Sequence, residues 1–171
     1  MRSNAGAARL ISGVVPLAAS VGVLAVLLGA CGQNQPEPTP ATPVSTAPRD
    51  ADRYAAELVD LTNETRAAEG LEVLTESACA REAALARAAD LVGEDELVHA
   101  PMGPVIDLCA PSTTAAENLV NSTVAAAEVV AAWLDSSGHR ANLLDPDLTE
   151  IGIGCVPDGA RLLCSQIFLG P

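Results

Sequence analysis

A chain of 171 residues has room for one globular domain with a targeting segment and a tail, since domains run to about 100–200 residues. Nine arginines and no lysine face 22 acidic residues, a formal net charge of −13, and a surface that acidic repels phosphate backbones and excludes nucleic acid as a partner. Aromatic residues make up 2% of the chain, so Ala, Leu and Val must build a core whose small side chains bury little area each, which makes crosslinks welcome.

Met1 to Arg9 is short and positively charged, Leu10 to Leu28 is apolar, and Leu28-Gly29-Ala30-Cys31 follows at once. Residues 1–30 therefore read as a secretory signal and not as domain structure. The ending resembles the bacterial lipoprotein box, which makes Cys31 the expected lipidation site, mature N-terminus and membrane anchor. The alternative is an uncleaved helix, because ~20 apolar residues can span a bilayer. Both readings place the remainder outside the cytoplasm, attached to the cell membrane. Without residues 1–30 the chain keeps 22 acids against seven arginines, a net charge of about −15. Residues 31–50 are rich in Pro, Thr and Ala without apolar periodicity and read as a disordered tether. The folded domain is expected over 51–171.

From Ala51 the pattern turns helical, with Tyr54, Leu58, Leu61 and Thr65 on one stripe and Gly70 as a stop. A second, alanine-rich helix is expected over Glu76–Val92, ended by Gly93. Glu94 to Thr114 has three prolines and no clean period, and reads as a long loop carrying His99 and Cys109. Ser122 or Thr123 is placed to cap a third helix, Val124–Leu134. Ser136-Ser137-Gly138 breaks it and starts a short helical turn that ends at Asp145-Pro146. Ile151–Cys155 and Leu162–Phe168 are β-rich runs joined by Pro157-Asp158-Gly159-Ala160, a hairpin signal.

With Gly159 and Ala160 at the hairpin tip, Cys155 faces Cys164 and a cross-strand disulfide becomes geometrically available. That leaves Cys79 to pair with Cys109. Four cysteines allow three pairings, and the hairpin favours this one. In the same register Ile151, Ile153, Gln166 and Phe168 share one face, while Val156, Leu163, Ile167 and Leu169 take the other, so the sheet should be covered on both sides.

The polar set with chemical potential is His99 in the long loop, Glu117-Asn118 after it, and His139 behind the helix break, all read as lying at element edges. Two imidazoles and a carboxylate suit Zn²⁺ with an open coordination position, and the same three groups suit acid–base work. Their spacing matches no short metal motif such as H-E-x-x-H. The plainer reading is that His139 and Glu117 hydrogen-bond within the fold and His99 is a solvated loop residue. No serine or cysteine stands in a recognisable nucleophile motif.

Leu61-Thr-Asn63-Glu-Thr-Arg66 with Gly70-Leu71, Ala116-Glu117-Asn118-Leu119, Trp133-x-x-Ser136-x-Gly138-His139-Arg140-x-Asn142-x-Leu144, Ile151-Gly-Ile-Gly154 and Gln166-x-Phe168-x-Gly170 occur in order. Together they resemble the bacterial branch of the CAP superfamily, which groups cysteine-rich secretory proteins, antigen 5 and pathogenesis-related 1 proteins. The resemblance covers about residues 54–170. It implies an α+β fold, a three-layer α-β-α sandwich with a small antiparallel central sheet, and a cleft in which His99, Glu117 and His139 fall on three members of a two-His, two-Glu tetrad. The second glutamate of that tetrad would stand three residues after the helix Trp, where this chain has Ser136 with Asp135 adjacent. The fourth member is therefore open between Ser136 and Asp135. The other signature residues read as scaffold: Trp133 in the core with its indole bonded, Arg66 and Arg140 bracing loops, Gln166 satisfying buried backbone groups, and Gly152 and Gly154 allowing close approach of a helix. Asn63-Glu-Thr65 and Asn121-Ser-Thr123 match the N-glycosylation pattern and are treated as incidental.

The tether, the acidic surface and a cleft lacking one family carboxylate lead to the expectation of a membrane-anchored binding module for a small apolar or lipid-like ligand, or for an envelope or host protein. A Zn-dependent hydrolase using His99, His139 and Glu117 and a passive envelope protein are the alternatives.

Overall fold

The computed structural model describes Asp50–Pro171. The expected signal segment, the expected lipidation site Cys31 and the expected tether up to residue 49 lie outside the described residues. Asp50 accepts a hydrogen bond from the Arg53 N–H at 3.2 Å and so caps α1 (Ala51–Ala68). The buried stripe of α1 runs through Tyr54, Leu58, Thr62 and Arg66, one position round from the stripe expected at Leu61 and Thr65. Arg66 draws it there. Arg66, 1% exposed, donates to the carbonyl of Glu72 just after α1 and to those of Leu143, Asp145 and Leu148 in the segment before the C-terminal hairpin, loop carbonyls that are otherwise hard to satisfy. Burial lowers the pKa of Arg66, and the charge of Asp145 partly restores it.

The chain continues through β1 (Thr75–Glu76), α2 (Ala78–Asp90), α3 (Gly103–Leu108), β2 (Thr114–Ser122), α4 (Ala126–Asp135), α5 (Ser137–Leu143), β3 (Glu150–Asp158) and β4 (Arg161–Gly170). The strands form one sheet in the order β1-β3-β4-β2. It is antiparallel except that the two-residue β1 runs parallel to β3. Three of these elements depart from the sequence reading. β1 takes the first residue of the expected second helix, which starts at Ala78 with Ser77 as its cap. The loop expected from Glu94 contains α3, whose Pro104 stands in the first turn, where a missing N–H costs nothing. β2 was hidden by polar residues at its centre. In addition, α4 begins without a side-chain cap, because the Ser122 hydroxyl is engaged by the Val124 N–H.

The hairpin has the expected register, Cys155 opposite Cys164 and Asp158 opposite Arg161. Both expected disulfides are formed, Cys79–Cys109 and Cys155–Cys164. Ile151, Ile153 and Phe168 pack with Leu58, Val59, Val130 and Trp133 in the larger core, on the side of α1 and α4. Ile167 and Leu169 pack with Ala80, Ala83, Ala84 and Val105 on the side of α2 and α3. The result is three layers, α-β-α. Gly152 and Gly154 are what let α2 lie directly on the sheet. A Cβ at Gly152 would sit 2.1 Å from the Arg81 nitrogen, and one at Gly154 2.3 Å from the Leu85 nitrogen. Among the described residues no helix is long and apolar enough to cross a membrane.

Candidate functional site

α5 lies along the outer edge of β2 and is held there by amides. Asn142 Nδ2 donates to the Glu117 carbonyl at 3.1 Å and to Asn118 Oδ1 at 2.9 Å. Asn118 Nδ2 donates to the His139 carbonyl at 3.4 Å and to Gln166 Oε1 at 2.9 Å. Gln166 Nε2 in turn donates to the Thr62 hydroxyl at 2.9 Å. Gln166 thus satisfies side chains of β2 and α1, not the backbone groups expected of it. The chain of bonds ties the helix carrying His139 to the middle of the sheet. Trp133 is in the core as expected, its indole N–H donating to the Leu119 carbonyl at 3.2 Å. Among the described residues Arg140 makes a long surface pair with Glu69, 3.7 Å.

Between α5 and the segment leading into α3 lies a cavity of about 460 Å³ lined by His99, Met102, Glu117, Ser136, His139 and Asn142, with small residues between them. The fold therefore brings His99, Glu117 and His139 to one cleft. Only His99 comes from a loop. Glu117 stands in the middle of β2 and His139 within α5, so the reading of all three as edge residues is corrected. Ser136, between α4 and α5, is on the cleft wall, whereas Asp135 is exposed and does not line it. Of the two residues expected to compete for the fourth position, Ser136 lines the cavity and Asp135 does not.

Glu117 has a 2% exposed side chain and is engaged at both oxygens. Arg87 of α2 donates to Oε1 through Nε and to Oε2 through Nη2, each at 2.9 Å. The Ser165 hydroxyl donates to Oε1 at 2.9 Å, and His99 Nδ1 is 2.8 Å from Oε2, which requires a proton on that nitrogen because an ionised carboxylate only accepts. Burial by itself would raise the Glu117 pKa, but the bonds from Arg87, His99 and Ser165 and the charge of Arg87 outweigh it and hold the carboxyl below its ordinary range. Arg87 is raised correspondingly, chiefly by its bonds to Glu117. His139 is lowered, first by burial and then by the charge of His99.

Arg87 is the site residue that the sequence reading missed. Its signal was present: it falls seven residues after Ala80 and four after Ala83, on the buried stripe of α2, where an arginine needs a carboxylate partner. Its pairing bears on any metal at this cleft. Four donors use the four lone-pair directions of the Glu117 carboxylate, so Glu117 is arranged to orient His99, leaving the two imidazoles as free donors. Among the described residues, no group of three or more His, Cys, Asp or Glu side chains is arranged to hold a metal ion.

A second, apolar groove of about 420 Å³ is lined by Leu119, Val120, Val124, Val129, Ala132 and Trp133 with Ser122 and Glu128, and it shares Ser136 and His139 with the cleft.

The sequence profile of the cysteine-rich secretory protein family, CAP, matches residues 59–168. The chain is 32% identical over 152 residues to the Bacillus subtilis (strain 168) protein YkwD, a stretch covering 82% of this chain and 58% of that protein. Among solved structures, an extracellular protein containing an SCP domain from Bacillus anthracis str. Ames superposes with a TM-score of 0.63 at 24% identity, over 71% of this chain and 41% of that one. An outer surface protein from Borrelia burgdorferi gives a TM-score of 0.62 at 21% identity, over 71% of this chain and 95% of that one. The chain thus spans a little over half the length of the Bacillus subtilis relative and under half of the Bacillus anthracis protein.

Proposed function

The chain belongs to the cysteine-rich secretory protein family, CAP, and from that premise we propose that it is an extracytoplasmic binding protein, anchored through Cys31, that takes a small lipid-like ligand at the His99–Glu117–His139 cleft. The observation that carries this reading is that the cleft bearing His99, Glu117 and His139 and a neighbouring apolar groove share Ser136 and His139 in their walls. Ligand sites are typically apolar concavities with a few convergent polar groups, and this pair of spaces offers both to one molecule. The engagement of Glu117 by Arg87, Ser165 and His99 supports binding over catalysis, since a general base needs a free lone pair aimed at substrate. The extracellular and outer-surface descriptions of two structural neighbours support the location, as does the short basic then apolar run of residues 1–30, which has the pattern of a secretory signal. The test is native mass spectrometry of protein purified from envelope extracts. A copurified apolar ligand is expected on wild type and is expected to be lost from Ala132→Trp, which fills the groove. Ligand-free wild type in repeated preparations would overturn the reading.

One observation favours a second reading, a metal-dependent hydrolase. His99 turns Nδ1 to a carboxylate and so leaves Nε2 free, the carboxylate–histidine arrangement common behind metal ligands. A bound Zn²⁺ would supply an activated water; His99 and His139 would hold it and Glu117 would orient His99. Calorimetric titration of wild type, His99→Ala and His139→Ala with Zn²⁺ near neutral pH decides: heat from wild type that both variants abolish supports this reading, and no heat from wild type removes it.

A further inference from the structure

The outer edge of β3 is paired with another strand for only part of its length, although Ile153 and Cys155 themselves are buried. β1 pairs with Glu150 and Ile151 alone, and the Ser77 N–H donates to the Ile151 carbonyl at 2.8 Å before the chain turns away into α2. Main-chain groups of a strand alternate between its two sides, so the bond from Ser77 sets the phase. The N–H and C=O groups of Ile153 and Cys155 point the same way as those of Ile151, away from β4. Pro157 is next in that row, and proline in a strand belongs where no ladder bond is needed. Among the described residues no strand pairs with β3 on this side beyond Ile151.

Beside that edge, between α1 on one face of the sheet and α2 on the other, is a cavity of about 340 Å³ whose floor is Ile151, Gly152 and Ile153. Its walls carry Ala55, Ala56 and Ala78, small side chains that leave width for a main chain. The Ile153 side chain is turned into the core, so what β3 presents to the cavity is backbone. Across the rim, Arg81 Nη2 meets Asp52 Oδ1 at 2.7 Å, with side chains 49% and 79% exposed. An ion pair that exposed contributes little and opens at little cost. Glu76, also exposed, stands on the same rim.

We propose that this groove takes an extended peptide segment of a partner protein, added to β3 as a further strand. The row of outward main-chain groups recognises an extended backbone, and the alanine walls admit small or β-branched side chains. A lysine or arginine of the guest replaces Arg81 on Asp52 and meets Glu76, and the strongly acidic chain steers cationic segments to it. The site is separate from the His99–Glu117–His139 cleft, so either assignment can fail without the other.

The experiment is amide hydrogen exchange by NMR on the full ¹⁵N-labelled chain in detergent, with and without a synthetic acetylated, amidated peptide of alternating Val and Thr flanked by Lys. In the free protein the Ile153 and Cys155 amides are expected to exchange at least about tenfold faster than those of Gly152 and Gly154, which face β4. Peptide at about 1 mM, a range suited to weak strand addition, is expected to slow Ile153 and Cys155 and shift the resonances around them. N-methylation of the peptide amides in one alternating phase is expected to abolish the effect, and in the other phase to leave it. Ala56→Trp, at an exposed α1 position, is expected to block binding while far-UV circular dichroism stays unchanged. Slow exchange of Ile153 and Cys155 without peptide, an absence of shifts, or shifts indifferent to the phase of N-methylation would each overturn the proposal.

Discussion

Arg87 and Glu117 meet as a two-point pair across the α2–β2 contact, Nε to Oε1 and Nη2 to Oε2, both at 2.9 Å. Their side chains are 16% and 2% exposed, so each charge depends on the other for what it lost in leaving water. Arg87→Met keeps the length of the side chain and strands the carboxylate. It is expected to destabilise the protein at neutral pH by about 3–5 kcal/mol, the usual cost of removing one partner of a buried pair, read from urea unfolding. Arg87→Lys keeps the charge but not the planar fork and should fall between the two.

The same pair predicts how stability depends on pH. The native Glu117 carboxyl lies below its ordinary range, so its contribution is present above the unfolded carboxyl pKa and is lost as pH falls through the depressed native value. In Arg87→Met burial dominates and raises the carboxyl. That variant then gains relative stability as pH falls through the raised value, because protonation removes a buried charge. The melting temperatures of the two proteins should therefore converge on acidification. A gap that stays constant from neutral pH to pH ~4, near the unfolded carboxyl pKa, would show that Glu117 is not its source.

The C-terminal half of the fold was legible because its signals are local. The hairpin combines β-rich runs with a Pro-Asp-Gly turn, and its register brought Cys155 to Cys164 and fixed the two faces. β2 was not legible, because Glu117 and Asn118 put polar groups on both of its faces and their partners stand far off in sequence: Arg87, Ser165, Asn142 and Gln166. Buried polar residues satisfied at long range look like surface residues in a sequence. The ordered motifs singled out His99, Glu117 and His139, which line one cavity, but the state of Glu117 was not legible, since nothing near it in the chain announces Arg87.

His139 should titrate below the ordinary histidine value, because burial and, to a smaller extent, the charge of His99 both oppose its protonation. His99→Ala removes the second cause only. The His139 midpoint, followed by NMR of the ring protons, is expected to rise in that variant and yet stay below about 6.5, the unperturbed value. Since the native pKa is lowered, this group's contribution is present above the unfolded value and is lost as pH falls through the native one. A midpoint unmoved by His99→Ala would show that His99 carries no charge that His139 feels.

Two glycines that look alike in the sequence should respond in opposite directions. At Gly152 an added methyl would meet backbone atoms of Ala80 and Arg81 at 2.3 and 2.1 Å, contacts that only a displacement of α2 can relieve. Because Arg87 is on the same helix, that displacement also pulls on the bonds to Glu117. Gly152→Ala is therefore expected to cost at least the ~1–3 kcal/mol of a strained core insertion. At Gly138, inside α5, nothing lies within 4 Å of the added Cβ, and replacing a helical glycine by alanine gains roughly 0.5–1 kcal/mol. Thermal unfolding of the two variants reads the contrast directly. If Gly152→Ala melted at or above wild type, the close approach of α2 to β3 would be excluded, and with it the placement of Arg87 on Glu117.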